Sequence, residues 1–321
     1  MTAFETRKTE TVTTTLEKAT LNDTATENGA LMRSATVVAV AVAIVLIAIK
    51  LVAYFMTNSV AILSTLVDSM LDLAASFINL IAVRHALVPA DREHRYGHGK
   101  AEALAGLFQA AVITGSGVFL LFQAAERLYN PKTVQSSDVG IIVMVISILL
   151  TIGLVSYQRY VIRRTKSVAI TADSLHYLGD VLINGSVMVA LILDLIFHLP
   201  YVDGLFAVGI SLFLLYNSFL IIRASFAELM DEELGEEERA NISNLVMAQA
   251  GVFGLHDLRT RRSGQHVFIQ MHIDMDGSIS LRDAHTISEA VETRLMAEYP
   301  EAEAIVHQDP IQVPRVKEKD D

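Results

Sequence analysis

The sequence predicts a membrane-embedded bundle of six helices, built as an inverted repeat, followed by a small cytoplasmic α+β domain. Three observations carry that reading. The 321 residues are 52% apolar, with a mean hydropathy of +0.42, and several apolar runs approach or exceed the ~20 residues a helix needs to cross hydrocarbon. A pattern near residue 57 returns near residue 165. From about residue 229 the composition turns acidic and then alternates as strands do.

Residues 1–30 hold ten threonines and mixed charges, which predicts a disordered cytosolic tail. No signal peptide is expected, because that stretch is acidic and the apolar run beyond it is long. Six spans are expected at about 33–55, 59–84, 101–128, 138–160, 168–196 and 202–223 within a transport domain over 31–228. Pro131 closes the third span, and Pro200 separates the fifth from the sixth. Arg84, Arg92, Arg95 and Lys100 lie between spans two and three, and Arg159, Arg163, Arg164 and Lys166 between four and five. The opposite connections hold only Arg127 and Lys132. The positive-inside rule then puts both termini in the cytoplasm. Lys50, near the outer end of the first span, is expected to snorkel to the interface.

Thr57 and Ser59-Val60-Ala61-Ile62 match Thr165 and Ser167-Val168-Ala169-Ile170 at an offset of 108. The same offset lays Asp68 on His176 and Asp72 on Asp180. Three spans separate the copies, so they would cross in opposite directions, an arrangement that places a substrate site at the repeat interface.

The last domain, 229–321, reads as a helix to about Ala250, strands over 254–262 and 266–275, a helix over 281–299, and a short strand over 304–306. The order αββαβ is that of a two-layer, ferredoxin-like or metallochaperone-like domain.

The net charge of −11 argues against nucleic acid as a partner. The chain has no cysteine, which excludes disulfides and thiolate metal sites. A soluble enzyme is excluded by the spans, and no nucleophile–base pair stands out. What does stand out is Asp68 and Asp72, four apart on one helix face, with His176 and Asp180 repeating the spacing. Ionisable residues inside spans are costly and usually functional. Three carboxylates and an imidazole make a tetrahedral site for a divalent cation, and an N/O donor set suits Zn(II), Fe(II), Cd(II), Co(II) or Mn(II). Three carboxylates that close need a cation or protons to be tolerated. His176 is the one member whose unperturbed pKa, about 6.5, lies near physiological pH, and a bound cation displaces its proton. These features predict a membrane transporter of a first-row divalent metal ion, with a physical route for proton coupling through the site itself. The alternatives are a membrane-anchored metal sensor or scaffold without flux, or an exporter mainly of Fe(II) or Mn(II).

Asp91, His94 and His98 gather ligand types in the loop between spans two and three, where Gly97 and Gly99 let the chain fold back; a solvated charged loop has the same composition. Five of the ten histidines, His256, His266, His272, His285 and His307, lie in the last third, and an acidic cytosolic domain with scattered histidines would read the same way.

The stretch Asn58–Asp72, the run Glu93-His94-Arg95-Tyr96-Gly97-His98-Gly99-Lys100-Ala101-Glu102, the His176/Asp180 pair and Gly254-Leu255-His256-Asp257-Leu258-Arg259-Thr260-Arg261 together resemble the cation diffusion facilitator family, in particular its bacterial ferrous-iron/zinc efflux branch. The resemblance covers about residues 33–312. It implies a homodimer of six-span subunits in the bacterial inner membrane that exports metal in exchange for protons. It puts Asp68, Asp72, His176 and Asp180 on the transport site and favours Zn(II), Cd(II) and Fe(II) over Mn(II). It also implies a peripheral site at Asp91, His94 and His98, and a cytosolic, binuclear cluster of His256, His272, His285, His307 and Asp309, with His266 left outside. Lys100 and Asp231 fall on the interlocking charge pair at the dimer hinge. No cofactor is implied beyond the metal itself.

Overall fold

Apolar runs too long for a soluble core dominate the first two thirds of the chain, and in the computed structural model each becomes a helix. The structure describes the backbone of residues 3–129, 138–197 and 201–311. Pro131, Lys132 and Pro200 lie outside the described residues. Two units are distinguished, 28–229 and 1–27 with 230–321.

The first unit holds α1 (Ala3–Thr57) from residue 28 onward, then α2 (Val60–Ala86), α3 (Lys100–Tyr129), α4 (Asp138–Thr165), α5 (Val168–Phe197) and α6 (Val202–Leu229). Among the described residues, five segments are long and apolar enough to cross a membrane: Thr26–Thr57, Ile62–Ala86, Lys100–Tyr129, Val139–Thr165 and Val202–Leu229. The remaining helix, α5, is 30 residues long and carries His176 and Asp180. Over 3–30 the backbone lies within α1. The sequence contains no glycine or proline before Gly29, so nothing in it breaks the i to i−4 ladder.

The junctions α1–α2 and α4–α5 repeat each other bond for bond. Asn58 and Lys166 both take φ of +51°. The amide of Asn58 donates to Tyr54 O (2.7 Å) and that of Lys166 to Ile162 O (2.8 Å). The Thr57 hydroxyl donates to Ala53 O and the Thr165 hydroxyl to Val161 O. Each threonine oxygen then accepts, at 3.4 Å, from the amide of the serine that opens the next helix. The matched Thr-x-Ser segments are thus one turn design used twice, and they start α2 and α5 in the same register, so Asp72 and Asp180 stand at equal distances from their helix starts.

Small residues set how closely the helices pack. Gly204, Ser211, Ser218 and Ser225 recur every seven residues along the buried face of α6, which faces the alanines and glycines of α3. A Cβ on Gly106 would stand 2.9 Å from both Ser225 Oγ and Val168 Cγ1, so that backbone approach requires glycine. Arg127 near the end of α3 pairs with Asp203 at the start of α6.

The second unit holds α7 (Glu236–Met247), β1 (Gly254–Ser263), β2 (His266–Met275), α8 (Leu281–Glu298) and β3 (Ala302–Pro310). The sheet order is β1-β2-β3, with β1 antiparallel and β3 parallel to β2. Along β2 the odd positions Val267, Ile269, Met271, Ile273 and Met275 are buried with Ile242 and Val246 of α7 and Val291 and Leu295 of α8. The even positions, including His272 and Asp274, stand on the opposite face, as strand alternation requires. The last strand is longer than the 304–306 expected. Pairing with β2 continues through His307 and Asp309 to Pro310, because the parallel ladder supplies backbone partners to these polar residues as well.

Candidate metal sites

Among the described residues, three clusters of ligand-type side chains form, each with its donor atoms within 4.8 Å of one another. The first joins α2 and α5 through Asp72, His176 and Asp180. His176 Nε2 lies 2.9 Å from Asp72 Oδ1, and Asp180 is one turn beyond His176 on the same face. Asp68 is one turn before Asp72, with an exposed side chain, and is not in the group. Two carboxylates and an imidazole at that spacing offer three hard or borderline donors of the four that a tetrahedral site takes.

A polar network beneath this group was not picked out from the sequence. Asp173, 1% exposed, accepts from Gln158 Nε2 of α4 (2.7 Å) and from the Ser76 hydroxyl of α2 (3.2 Å). Ser76 in turn bonds the Tyr177 hydroxyl at 2.8 Å. Ser76 is four residues after Asp72, and Asp173 is three before His176, so the network ties α2, α4 and α5 one turn from the cluster. The available signal was a third acid in the fifth span. Lys50 also departs from expectation. Its Nζ donates to Ser69 Oγ (2.6 Å) and to Thr65 O (3.1 Å), so it points along α2 toward the cluster and not to the end of α1.

The second cluster is Asp91, His94 and His98 in the loop between α2 and α3. Asp91 Oδ1 accepts from the backbone N–H groups of His94 (2.6 Å) and Glu93 (2.9 Å). Those bonds, the His94 amide foremost, hold the carboxyl below its ordinary value and keep it ionised. The ring of His98 is buried, with Nδ1 3.3 Å from Val88 O and Nε2 3.4 Å from Asp91 Oδ2. Gly97 turns the chain at φ +78°. His85, from the last turn of α2, stacks edge-on against His98 at 4.6 Å and was not singled out from the sequence.

The third cluster lies on the open face of the three-stranded sheet. Register places His256, His272 and His307 side by side across β1, β2 and β3, and Asp274 beside Asp309. Asp309 Oδ2 is 2.9 Å from His272 Nδ1 and 3.3 Å from His256 Nε2, and Oδ1 is 3.3 Å from His307 Nε2. The bond from His272, with the charges of the neighbouring histidines, holds Asp309 below its ordinary value. A carboxylate touching three imidazoles through both oxygens has the geometry of a bridging ligand. His285 stands apart from this face: it is exposed on α8 and belongs to none of the groups among the described residues. His266 pairs with Glu301 at the far end of β2 (3.5 Å). Lys100 and Asp231 belong to different units; Lys100 donates to Leu229 O (3.3 Å), and Asp231 accepts from Arg261 (3.2 Å).

Two family models match the chain in succession. The cation efflux transmembrane domain covers residues 36–230, and the cation efflux protein cytoplasmic domain covers 234–311. A cation-efflux pump FieF of Serratia proteamaculans is 44% identical over 283 residues, 88% of this chain and 94% of the relative. Its counterpart in Shewanella oneidensis is 45% identical over 264 residues, 82% of this chain and 89% of the relative. That of Klebsiella pneumoniae is 43% identical over 285 residues, 89% and 95% respectively.

Proposed function

The chain belongs to the cation efflux family, matched through both its transmembrane and cytoplasmic parts, and from that premise we propose that it exports Zn(II) from the cytoplasm in exchange for protons. Fe(II), Cd(II) and Co(II) suit the same donor set. The observation that carries the reading is the meeting of Asp72, His176 and Asp180 within 4.8 Å on two helices that lie among the apolar spans. Ligands there serve a cargo that crosses; a sensor without flux has no use for them. Asp68, one turn away on α2, is the fourth donor, brought in when a cation arrives to offset its charge. α5 is the sixth span, its acids and histidine compensated inside the bundle. Both termini face the cytoplasm of a bacterial inner membrane, and two copies form the working dimer, with Lys100 and Asp231 at its hinge.

The chemistry follows from the donors. With no metal bound, His176 holds a proton from the outward-facing side; a dication entering from the cytoplasm displaces it, and its return drives release of the metal. The loop group is a peripheral site and the sheet group a regulatory one, and both take the same metal. The test is purified protein in liposomes, with flux measured over a panel of metals under an imposed pH gradient. Export quickened by inward proton flow supports the reading, and flux indifferent to the gradient leaves a facilitated-diffusion carrier.

A further inference from the structure

Lys50 is a charge to which the exchange scheme gives no task. It lies seven residues inside the end of α1 at Thr57, a depth of roughly 10 Å at the helical rise. A lysine so placed can reach the end of its helix. Its ammonium instead donates to Ser69 Oγ at 2.6 Å and to Thr65 O at 3.1 Å, both on α2 and well past its first turn. Ser69 is 1% exposed and sits between Asp68 and Asp72. A third helix therefore supplies a cation to the surroundings of a group that otherwise gathers acids.

We propose that Lys50 is the resident counter-cation of the transport site: its fixed charge balances the carboxylates while no metal is bound and weakens their hold on the dication, so that cargo can leave. The proposal rests on the transport-site reading above and adds to it a residue that sets affinity. Lys50 is not a ligand, since an ammonium has no lone pair to offer. Its effect is electrostatic. Carboxylates shielded from water and left uncompensated are costly, and a site that binds its cargo without opposition does not release it. The bond to Ser69 fixes where the charge stands, so the opposition is the same in every cycle.

The test uses the full-length dimer in nanodiscs, in a background carrying His94→Ala, His98→Ala, His256→Ala and His272→Ala so that zinc titrates the transport site. Lys50→Gln keeps a donor for Ser69 and Thr65 without the charge, and Lys50→Arg keeps the charge. Removing one unit charge from a protein site raises the affinity for a dication by ~10-fold or more. Lys50→Gln is therefore expected to bind Zn(II) at least ~10-fold more tightly than the background and, in liposomes, to lower KM and kcat together. Lys50→Arg is expected to stay within about threefold of the background. If Lys50→Gln does not fold, Lys50→Met carries the same expectation. Equal or weaker zinc binding by the neutral variants in a folded dimer overturns the counter-cation. A background whose zinc binding is unchanged by Asp72→Ala would instead remove the transport site itself, and the counter-cation with it.

Discussion

Two neighbouring residues of β2 are expected to fail in opposite ways. Ile273 is fully buried in the core beneath the sheet, whereas His272 stands on the open face against Asp309. Ile273→Ala removes three carbons, worth ~2.4 kcal/mol at about 0.8 per buried methylene. The cavity left behind brings the total to about 3–4 kcal/mol, inside the usual range of about 2–5 for such truncations. At a urea slope near 1 kcal/mol/M, the midpoint of the 229–321 fragment should fall by about 3 M, and zinc binding should survive wherever the fragment remains folded. His272→Ala should leave the midpoint close to wild type while abolishing most of the heat of zinc binding in calorimetry. Chemical denaturation followed by circular dichroism, with titrations on the same samples, separates the two. A small effect of Ile273→Ala, or equal destabilisation by both, would refute the two-faced sheet and the metal face built on it.

The network beside the transport group predicts that Asp173→Ala, which strands the Gln158 amide and loosens three helices, lowers the thermal midpoint of the detergent-solubilised protein. Each orphaned partner costs ~1–3 kcal/mol. Asp173→Asn should be milder, because Gln158 Oε1 lacks a partner and the amide can flip to accept; equal loss in both variants would contradict this. Asp276 accepts from the Ser278 amide and hydroxyl (2.8 and 2.7 Å), bonds that hold it below its ordinary value, the amide foremost. Its stabilisation is present above the unfolded value of about 3.9 and is lost as pH falls below that through the lower folded value. Wild type and Asp276→Asn should therefore differ in stability at pH 6 and converge near pH 2, and a gap constant over that range would refute the assignment.

What could be read from the sequence was whatever follows from periodicity and spacing. The order αββαβ emerges because strand alternation and helix stops are local. The i, i+4 spacing gave Asp72 one face of a helix and His176 and Asp180 one face of another, and the 108-residue offset matched their positions along the two helices. What could not be read depends on which neighbour packs alongside. Lys50 has the spacing of a snorkelling lysine, and Ser69 and the Thr65 carbonyl on the adjacent helix turn it inward. Asp173 looks like one more polar residue in a span until Gln158 and Ser76 arrive from α4 and α2. His307 falls just past the strand read over 304–306, because its place in the sheet is made by parallel pairing with β2, a partner some 35 residues away. His285 shares its composition with the sheet histidines but not their face, and residue type alone does not distinguish them.

The central claim is that metal crosses at Asp72, His176 and Asp180. The most direct test is zinc flux into liposomes carrying Asp72→Ala, His176→Ala or Asp180→Ala, each compared with His272→Ala and checked for an intact dimer. Flux should vanish in the first three while persisting, with altered regulation, in the fourth. Wild-type flux in Asp72→Ala or Asp180→Ala would contradict the account.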